Sequence, residues 1–148
     1  FLNTATDPRG ISYQVNQSMI SIGSGGLFGV GYGRSSQKYG FLPEVVHDSI
    51  FAVIAEELGY AGSLVVMGLF IFLCFNLTQV AKGISDKFGI LIVMGINIWI
   101  MSQAFINIAA MSGLAPLTGI PLPFISYGGT AMISLLAGLG IVLNIARR

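Results

Sequence analysis

Two long stretches of the chain contain no charged residue, and both are rich in large apolar side chains. The first stretch runs from Leu58 to Ala81 and the second from Phe88 to Ala146. A helix needs about 20 mostly apolar residues to cross the hydrocarbon core of a bilayer, so each stretch is long enough to span a membrane. The pattern therefore predicts an all-α integral membrane protein.

The second stretch is too long for one span and is divided by prolines. Pro116, Pro121 and Pro123 would interrupt a continuous helix, because proline lacks the backbone donor that a helix interior uses. We therefore predict transmembrane helices at 58–80, 88–112 and 127–146. A polar loop, 1–57, precedes them, and the connections are a short turn at 81–87 and a proline-rich turn at 113–126.

Basic residues give the expected orientation of these spans. The turn at 81–87 contains two lysines, and the chain ends on Arg147 and Arg148. Positive residues beside a span mark its cytoplasmic side. The turn and the end at 147–148 should therefore be cytoplasmic, whereas residues 1–57 and 113–126 should be extracytoplasmic.

Composition narrows the possible functions further. Hydrophobic residues make up 54% of the chain and charged residues 9%, against about 25% charged in soluble domains. A net charge of +1, with no basic face, argues against nucleic acid as a partner. The single Cys74 lies in a predicted span, which excludes a disulfide or zinc framework. Because the chain opens on Phe1, we expect it to be a fragment.

A helix near 43–58 is predicted just before the first span. Pro43 stands at its first position and Gly59 just beyond its end, which is the usual order of these residues at helix ends. Apolar residues recur at helical spacing, which predicts an amphipathic helix at the membrane surface. Glu56 and Glu57 come late in this helix, where negative charge is unfavourable, so a cation or a hydrogen-bond donor should compensate them.

Glu44 and Asp48 are the candidate catalytic pair. Four residues apart on a helix, they share a face. Like charges at that spacing raise the pKa of at least one carboxyl group towards the range of a general base. The alternative is structural, because Asp48 could cap a helix that starts later.

Two further groups of residues have both a structural and a functional interpretation. The glycine-rich stretch 23–33 matches neither dinucleotide-binding nor P-loop spacing, so it is either a tightly turning loop or a backbone that approaches an anionic ligand. Gln103 and Asn107 lie four apart on one face of a span. They either form hydrogen bonds between helices, as Asn97 would, or line a substrate groove.

Four motifs follow one another along the chain. They are Gly-Ser-Gly-Gly-Leu-Phe-Gly-Val-Gly from Gly23, Phe-Leu-Pro-Glu from Phe41, Asp-x-Ile-Phe-Ala-Val-Ile-Ala-Glu-Glu-Leu-Gly from Asp48, and Pro-Leu-Pro-Phe-Ile-Ser-Tyr-Gly-Gly from Pro121. Together they resemble the SEDS family (shape, elongation, division and sporulation). The resemblance covers nearly the whole chain from about Asp7. It is closer to the cell-division branch of the family than to the elongation branch.

The resemblance implies a bacterial peptidoglycan glycosyltransferase in the cell (inner) membrane at the division septum. The family fold is a polytopic bundle of about ten helices, and this chain would be its large extracytoplasmic loop and last three spans. Such proteins polymerise lipid II into a nascent β-1,4 glycan strand beside a class B penicillin-binding transpeptidase, other division proteins and membrane lipid. The resemblance requires no cofactor, and it leaves a divalent cation, Mg²⁺ or Mn²⁺, open.

The resemblance also assigns the site. The essential loop aspartate of the family corresponds to Asp48, although this chain has His47 and Ser49 where the family commonly has Thr and Phe. Asp48 would be the general base in a single displacement with inversion, in a positive environment. Lipid II flippase and scaffold for the transpeptidase are the alternatives. The predicted substrate-binding residues are Glu44, Gly23, Ser24, Gly25, Gly26, Arg34, Lys38, Gln103, Asn107, Pro121, Pro123, Ser126, Tyr127, Gly128 and Gly129.

Overall fold

The computed structural model describes residues 11–31, 33, 49–116 and 118–147 of the chain. Within these residues the fold is all helical. Its four helices are α1 (Ile11–Ser24), α2 (Ile50–Gly83), α3 (Lys87–Met111) and α4 (Gly129–Ala146).

Three of the helices confirm the long apolar helices that the sequence predicted. α2, α3 and α4 contain 34, 25 and 18 residues, and each is long and apolar enough to cross a membrane. α2 and α3 form an antiparallel hairpin because only Ile84, Ser85 and Asp86 separate them. The carboxylate of Asp86 starts α3 by accepting hydrogen bonds from the backbone N–H groups of Phe88 and Gly89.

α1 is a helix inside the stretch that we had predicted to be a loop. Its buried residues include Ser18 and Ser21, which are fully covered, whereas Met19 and Ile20 are about half exposed. The face that α1 buries is therefore lined by small hydroxyl side chains. A search for apolar residues at helical spacing misses such a helix, because fully buried positions of its packed face are serines.

The first part of α2, residues 50–58, corrects a second prediction. An amphipathic helix at the membrane surface would expose one polar face, but Phe51, Val53, Glu56 and Glu57 are all buried. Both glutamates are covered because α1 and the segment after it pack on this part of α2. The segment is thus an internal element of the fold.

The buried apolar residues form two clusters at opposite ends of the α2–α3 hairpin. The cluster near the turn between α2 and α3 consists of Leu77, Ala81, Val93, Ile100, Leu135 and Val142. The cluster at the other end, where α1 and the proline-rich turn lie, consists of Phe51, Phe70, Ala104, Met111 and Leu122. The glycine-rich and proline-rich motifs therefore meet at one end of the molecule.

Asn97 connects α3 to α2 in the interior of the hairpin. Its side chain is 3% exposed, and its Nδ2 donates to the carbonyl oxygen of Cys74 at 3.2 Å and to Thr78 Oγ1 at 3.1 Å. In a membrane, apolar side chains gain little by moving from lipid into protein, so hydrogen bonds of this kind help to hold helices together. Asn97 therefore forms hydrogen bonds between helices, as the sequence predicted.

We expect Asn97→Ala to lower the stability of the hairpin by about 0.5–2 kcal/mol, because two hydrogen bonds between helices are lost. The matched control is Asn76→Ala, since Asn76 is exposed and its Nδ2 donates to Phe72 in the same helix. Thermal unfolding in detergent measures both. A control that loses as much stability as Asn97→Ala would contradict the role of the interhelical bonds.

Candidate functional site

The acids and bases of the predicted site fall outside the described residues. These are Arg34, Lys38, Glu44, His47 and Asp48. Their roles remain predictions. The described residues include the remaining predicted positions, which lie in the glycine-rich segment, in the second half of α3, in the proline-rich turn and at the start of α4.

Gly59 breaks α2 two residues after Glu57. Its φ of 69° and ψ of −165° are not helical, and this combination is open almost only to glycine. The break leaves the carbonyl groups of Glu56 and Glu57 and the N–H groups of Tyr60 and Ala61 without their usual partners within the helix. Four backbone groups therefore need partners from elsewhere.

The segment after α1, residues 25–31, supplies all four partners. The N–H groups of Val30 and Gly31 donate to the carbonyl oxygens of Glu56 and Glu57, at 3.0 and 3.1 Å. In the opposite direction, the N–H group of Tyr60 donates to the carbonyl oxygen of Gly26 at 2.9 Å, and that of Ala61 donates to the carbonyl oxygen of Leu27 at 3.2 Å. We call this four-bond junction the backbone clamp, and it joins residues 25–31 to the break in α2.

The clamp explains why glycines are needed in this motif. A Cβ atom on Gly25 would overlap the carbonyl oxygen of Ala55, and one on Gly29 would overlap that of Glu57. A Cβ on Gly59 would overlap the backbone nitrogen of Gly29. The close approach that the glycines permit is therefore to the backbone of α2, which supports the structural interpretation of the glycine-rich stretch.

Among the other predicted residues of this stretch, Gly26 contacts α2 through its carbonyl oxygen in the clamp, but no close approach of a Cβ to α2 arises there. A Cβ on Gly23 or Gly26 would meet open space, and Ser24 Oγ donates to the carbonyl oxygen of Ser21 within the last turn of α1. Substrate binding by the four residues at 23–26 remains a prediction.

Ser21 and Glu56 form a buried pair that the sequence analysis did not find. Ser21 Oγ lies 2.8 Å from Glu56 Oε2 and donates to it, and it also lies 3.3 Å from the carbonyl oxygen of Ala52. Ser21 is fully buried and Glu56 is 2% exposed. The position of Glu56 late in a helix did predict a compensating donor. That donor was not identifiable, because α1 itself was missed.

The proline-rich turn is held by two side chains of the predicted site. Asn107 Nδ2 donates to the carbonyl oxygen of Ile120 at 2.8 Å, and Ser126 Oγ accepts from the N–H of Leu122, also at 2.8 Å. Between them, Phe124 has a φ of 66°, an unfavourable backbone conformation for a residue with a side chain. The tight turn is thus stabilised by polar contacts from both sides.

Four predicted residues line one small cleft beside this turn. They are Gln103, Pro121, Pro123 and Ser126, and the cleft has a volume of about 10 Å³. Such a space is at most large enough for a single water molecule. In this structure the four residues form a packed junction between α3, the turn and α4. A role in substrate binding remains a prediction.

The last three predicted residues lie at the start of α4. Tyr127 is 71% exposed, Gly128 is the residue immediately before the helix, and Gly129 is its first residue. They are therefore close to the proline-rich turn but project no group into the cleft described above.

An apolar groove of about 510 Å³ runs between α2, the proline-rich turn and α4. Its walls are almost entirely hydrocarbon, with Asn76 as one polar exception, and they consist of Val66, Leu69, Phe70, Phe72, Leu73, Asn76, Pro123, Phe124, Ile125 and Leu139. Such a groove is suited to an extended hydrocarbon chain. Across the described ranges, no cluster of three or more side chains that could ligate a metal ion occurs.

We expect Ser126→Ala to destabilise the turn by about 1–3 kcal/mol, because the buried N–H of Leu122 loses its acceptor. Ser134→Ala is the control, since Ser134 is exposed and donates within its own helix. The comparison is made by thermal unfolding of both variants. Equal melting temperatures would show that the Ser126 hydroxyl does not hold the turn.

Comparison with known proteins extends the motifs to the whole chain. All of residues 1–148 match the FTSW_RODA_SPOVE family of cell cycle proteins. The chain is 43% identical over 147 residues to stage V sporulation protein E of Bacillus subtilis. It is 50% identical over 133 residues, 90% of this chain, to a protein of the same species named "Probable peptidoglycan glycosyltransferase FtsW".

A solved structure shares the fold as well. It is described as "Structural coordination of polymerization and crosslinking by a peptidoglycan synthase complex". This chain superposes on it with a TM-score of 0.81, at 28% sequence identity and over 99% of this chain. This chain spans 39% of the matched chain in that structure. It spans 40% and 33% of the two Bacillus proteins.

Proposed function

Because this chain belongs to the FtsW/RodA/SpoVE family of cell cycle proteins, we propose that the protein is a peptidoglycan glycosyltransferase that polymerises lipid II for the septal wall. The resemblance drawn from the four motifs is thereby confirmed at the level of the family. The observation that carries the proposed activity is the 50% identity to a relative that is named as such an enzyme.

The chain is part of a multi-pass membrane protein, since it combines membership of this family with three helices that are long and apolar enough to span a bilayer. We place the clamp and the proline-rich turn on the extracytoplasmic side. The basic residues Lys82, Lys87 and Arg147 lie at the opposite ends of the long helices, which supports this orientation. We also place the protein at the division septum.

In the proposed mechanism Asp48 is the general base. Its carboxylate takes the proton from a sugar hydroxyl of the acceptor while that oxygen attacks the anomeric carbon of the donor. The bond from this carbon to the diphosphate oxygen breaks, and its electron pair leaves with the diphosphate. One displacement converts the α linkage of the donor into a β bond, so the reaction needs no covalent enzyme intermediate.

Other residues would hold the two ends of the substrate. Arg34 and Lys38 would lie near the anionic diphosphate and stabilise the charge that develops on it. The polyprenyl tail would occupy the apolar groove between α2, the proline-rich turn and α4, whose hydrocarbon walls and size suit it. The proposed mechanism routes no step through a metal ion.

The partner would be a class B penicillin-binding transpeptidase, which crosslinks the strands that this protein makes. Support comes from the solved structure with a TM-score of 0.81, which is described as a complex that coordinates polymerization and crosslinking. Coupling of the two activities would bring the new strand directly to the crosslinking enzyme.

Polymerisation of purified lipid II tests the proposal. The full-length protein that contains this chain is purified with its transpeptidase, mixed with labelled lipid II, and the products are resolved on a gel. We expect a ladder of glycan strands and release of undecaprenyl diphosphate. An assembled complex that makes no glycan would contradict the proposal and favour a lipid II flippase or a scaffold.

A further inference from the structure

We propose that Glu56, through its hydrogen bond with Ser21, is a positioning residue for glycan polymerisation. The inference rests on the proposed function, and it assigns a task to a buried carboxylate that takes no part in the reaction itself. In this assignment the pair holds the first part of α2, residues 50–58, in a fixed place on α1.

The geometry of the pair is the first step. Ser21 Oγ donates to Glu56 Oε2 at 2.8 Å, and both side chains are almost completely buried. A hydrogen bond to a carboxylate in such a place is stronger than one between neutral groups. Loss of either partner removes this charge-assisted hydrogen bond from the buried contact, so the pair strongly favours one arrangement of α1 against α2.

The break at Gly59 makes such a contact necessary. Residues 50–58 are separated from the rest of α2 by a non-helical residue, so the long helix does not determine their direction. The backbone clamp fixes only the end of this part next to the break. The hydrogen bond of Ser21 adds a side-chain contact at Glu56, and the same Oγ also lies 3.3 Å from the carbonyl oxygen of Ala52, about one turn further towards the start of α2.

The start of this part of α2 is where its position bears on the reaction. α2 begins at Ile50, and Ser49 before it is fully buried. Asp48, the proposed base, precedes Ile50 by two residues in the sequence. A base displaced by about 1 Å can cost on the order of a hundredfold in rate, so the placement of Ile50 and Ser49 should affect turnover more than substrate binding.

The test compares Ser21→Ala, Glu56→Ala and Glu56→Gln in the full-length protein with its transpeptidase. We expect the two alanine variants to lower kcat by about tenfold or more while KM for lipid II stays within about twofold. Glu56→Gln keeps an acceptor of the same size and should recover most of the activity. Because the pair acts as a unit, the double alanine variant should fall little further than either single variant.

Ser63→Ala is the matched control. Ser63 is also buried in α2, but on the other side of the break, and its Oγ donates to the carbonyl oxygen of Gly59 in its own helix. Its loss removes a buried hydroxyl whose hydrogen bond lies within α2. A fall in kcat for Ser63→Ala equal to that for Ser21→Ala would overturn the proposal, as would full kcat in Ser21→Ala.

Two further measurements test the proposal if a variant does not fold or if the protein does not polymerise glycan. If Glu56→Ala does not fold, Ser21→Ala alone is compared with Ser63→Ala at matched melting temperatures, because it removes only a single hydroxyl group. If the wild type makes no glycan, the proposed function is wrong. Hydrogen exchange of the backbone amides of residues 50–58 then tests whether the Ser21–Glu56 pair holds this part of α2 in place. Faster exchange in Ser21→Ala and unchanged exchange in Ser63→Ala are expected, and equal exchange in both would overturn it.

Discussion

Replacement of Asp48 by Asn is expected to abolish glycan polymerisation, with a fall in kcat of about 10²- to 10⁴-fold. The amide has nearly the same size as the carboxylate but cannot accept a proton from the sugar hydroxyl. Binding of lipid II and assembly with the transpeptidase should be unchanged, because neither requires a proton acceptor at this position. Gel-resolved polymerisation, at matched yields of the folded complex, measures the effect.

Asp86→Asn is the control for this substitution. The Asp86 carboxylate accepts from the N–H groups of Phe88 and Gly89 at the start of α3, and Asn fills that role about as well. The control should therefore polymerise lipid II at the wild-type rate. Equal glycan synthesis by wild type and Asp48→Asn would disprove the assignment of the base without touching the fold.

Gly59→Ala is expected to destabilise the protein by about 3 kcal/mol or more, or to prevent folding. Alanine cannot adopt a φ of 69° with a ψ of −165° without strain, and its Cβ would overlap the backbone nitrogen of Gly29. If α2 instead became a continuous helix, the four hydrogen bonds of the backbone clamp would be lost. Both routes separate residues 25–31 from α2.

Gly68→Ala is the appropriate comparison, because Gly68 lies within α2 and a Cβ there meets open space. That change should be neutral or slightly stabilising, since alanine favours the helix. Denaturant unfolding and the yield of folded protein from membranes measure both variants. A Gly59→Ala protein as stable as Gly68→Ala would mean that the break is not needed for the fold.

The sequence prediction agrees best with the structure in the three long apolar helices, which are suited to a lipid environment. A spanning segment must satisfy all its backbone groups internally, so a long uncharged apolar run has few options other than a helix. Three long apolar helices were therefore predictable from hydropathy alone. The prolines near position 120 likewise gave the division between α3 and α4.

The sequence prediction was poorest where polar and small residues form the packed surface. Ser18 and Ser21 are buried in α1, and Glu56 and Glu57 are buried in α2, although each type is usually exposed. Hydrophobic periodicity therefore gave no helix for α1 and the wrong environment for residues 50–58. The glycines at 25 and 29 approach the backbone of α2, a partner that the sequence could not name.

The sequence by itself determined the family, the class of fold and the long apolar helices, because these depend on motif order and on apolar runs that act locally. Only the tertiary structure decided that Gly59 breaks α2, that residues 25–31 close the break and that Ser21 donates to Glu56. These contacts join residues 26 to 35 positions apart, and a backbone hydrogen bond carries no side-chain signal of its partner. Their existence depends on how the helices pack, which no local pattern specifies.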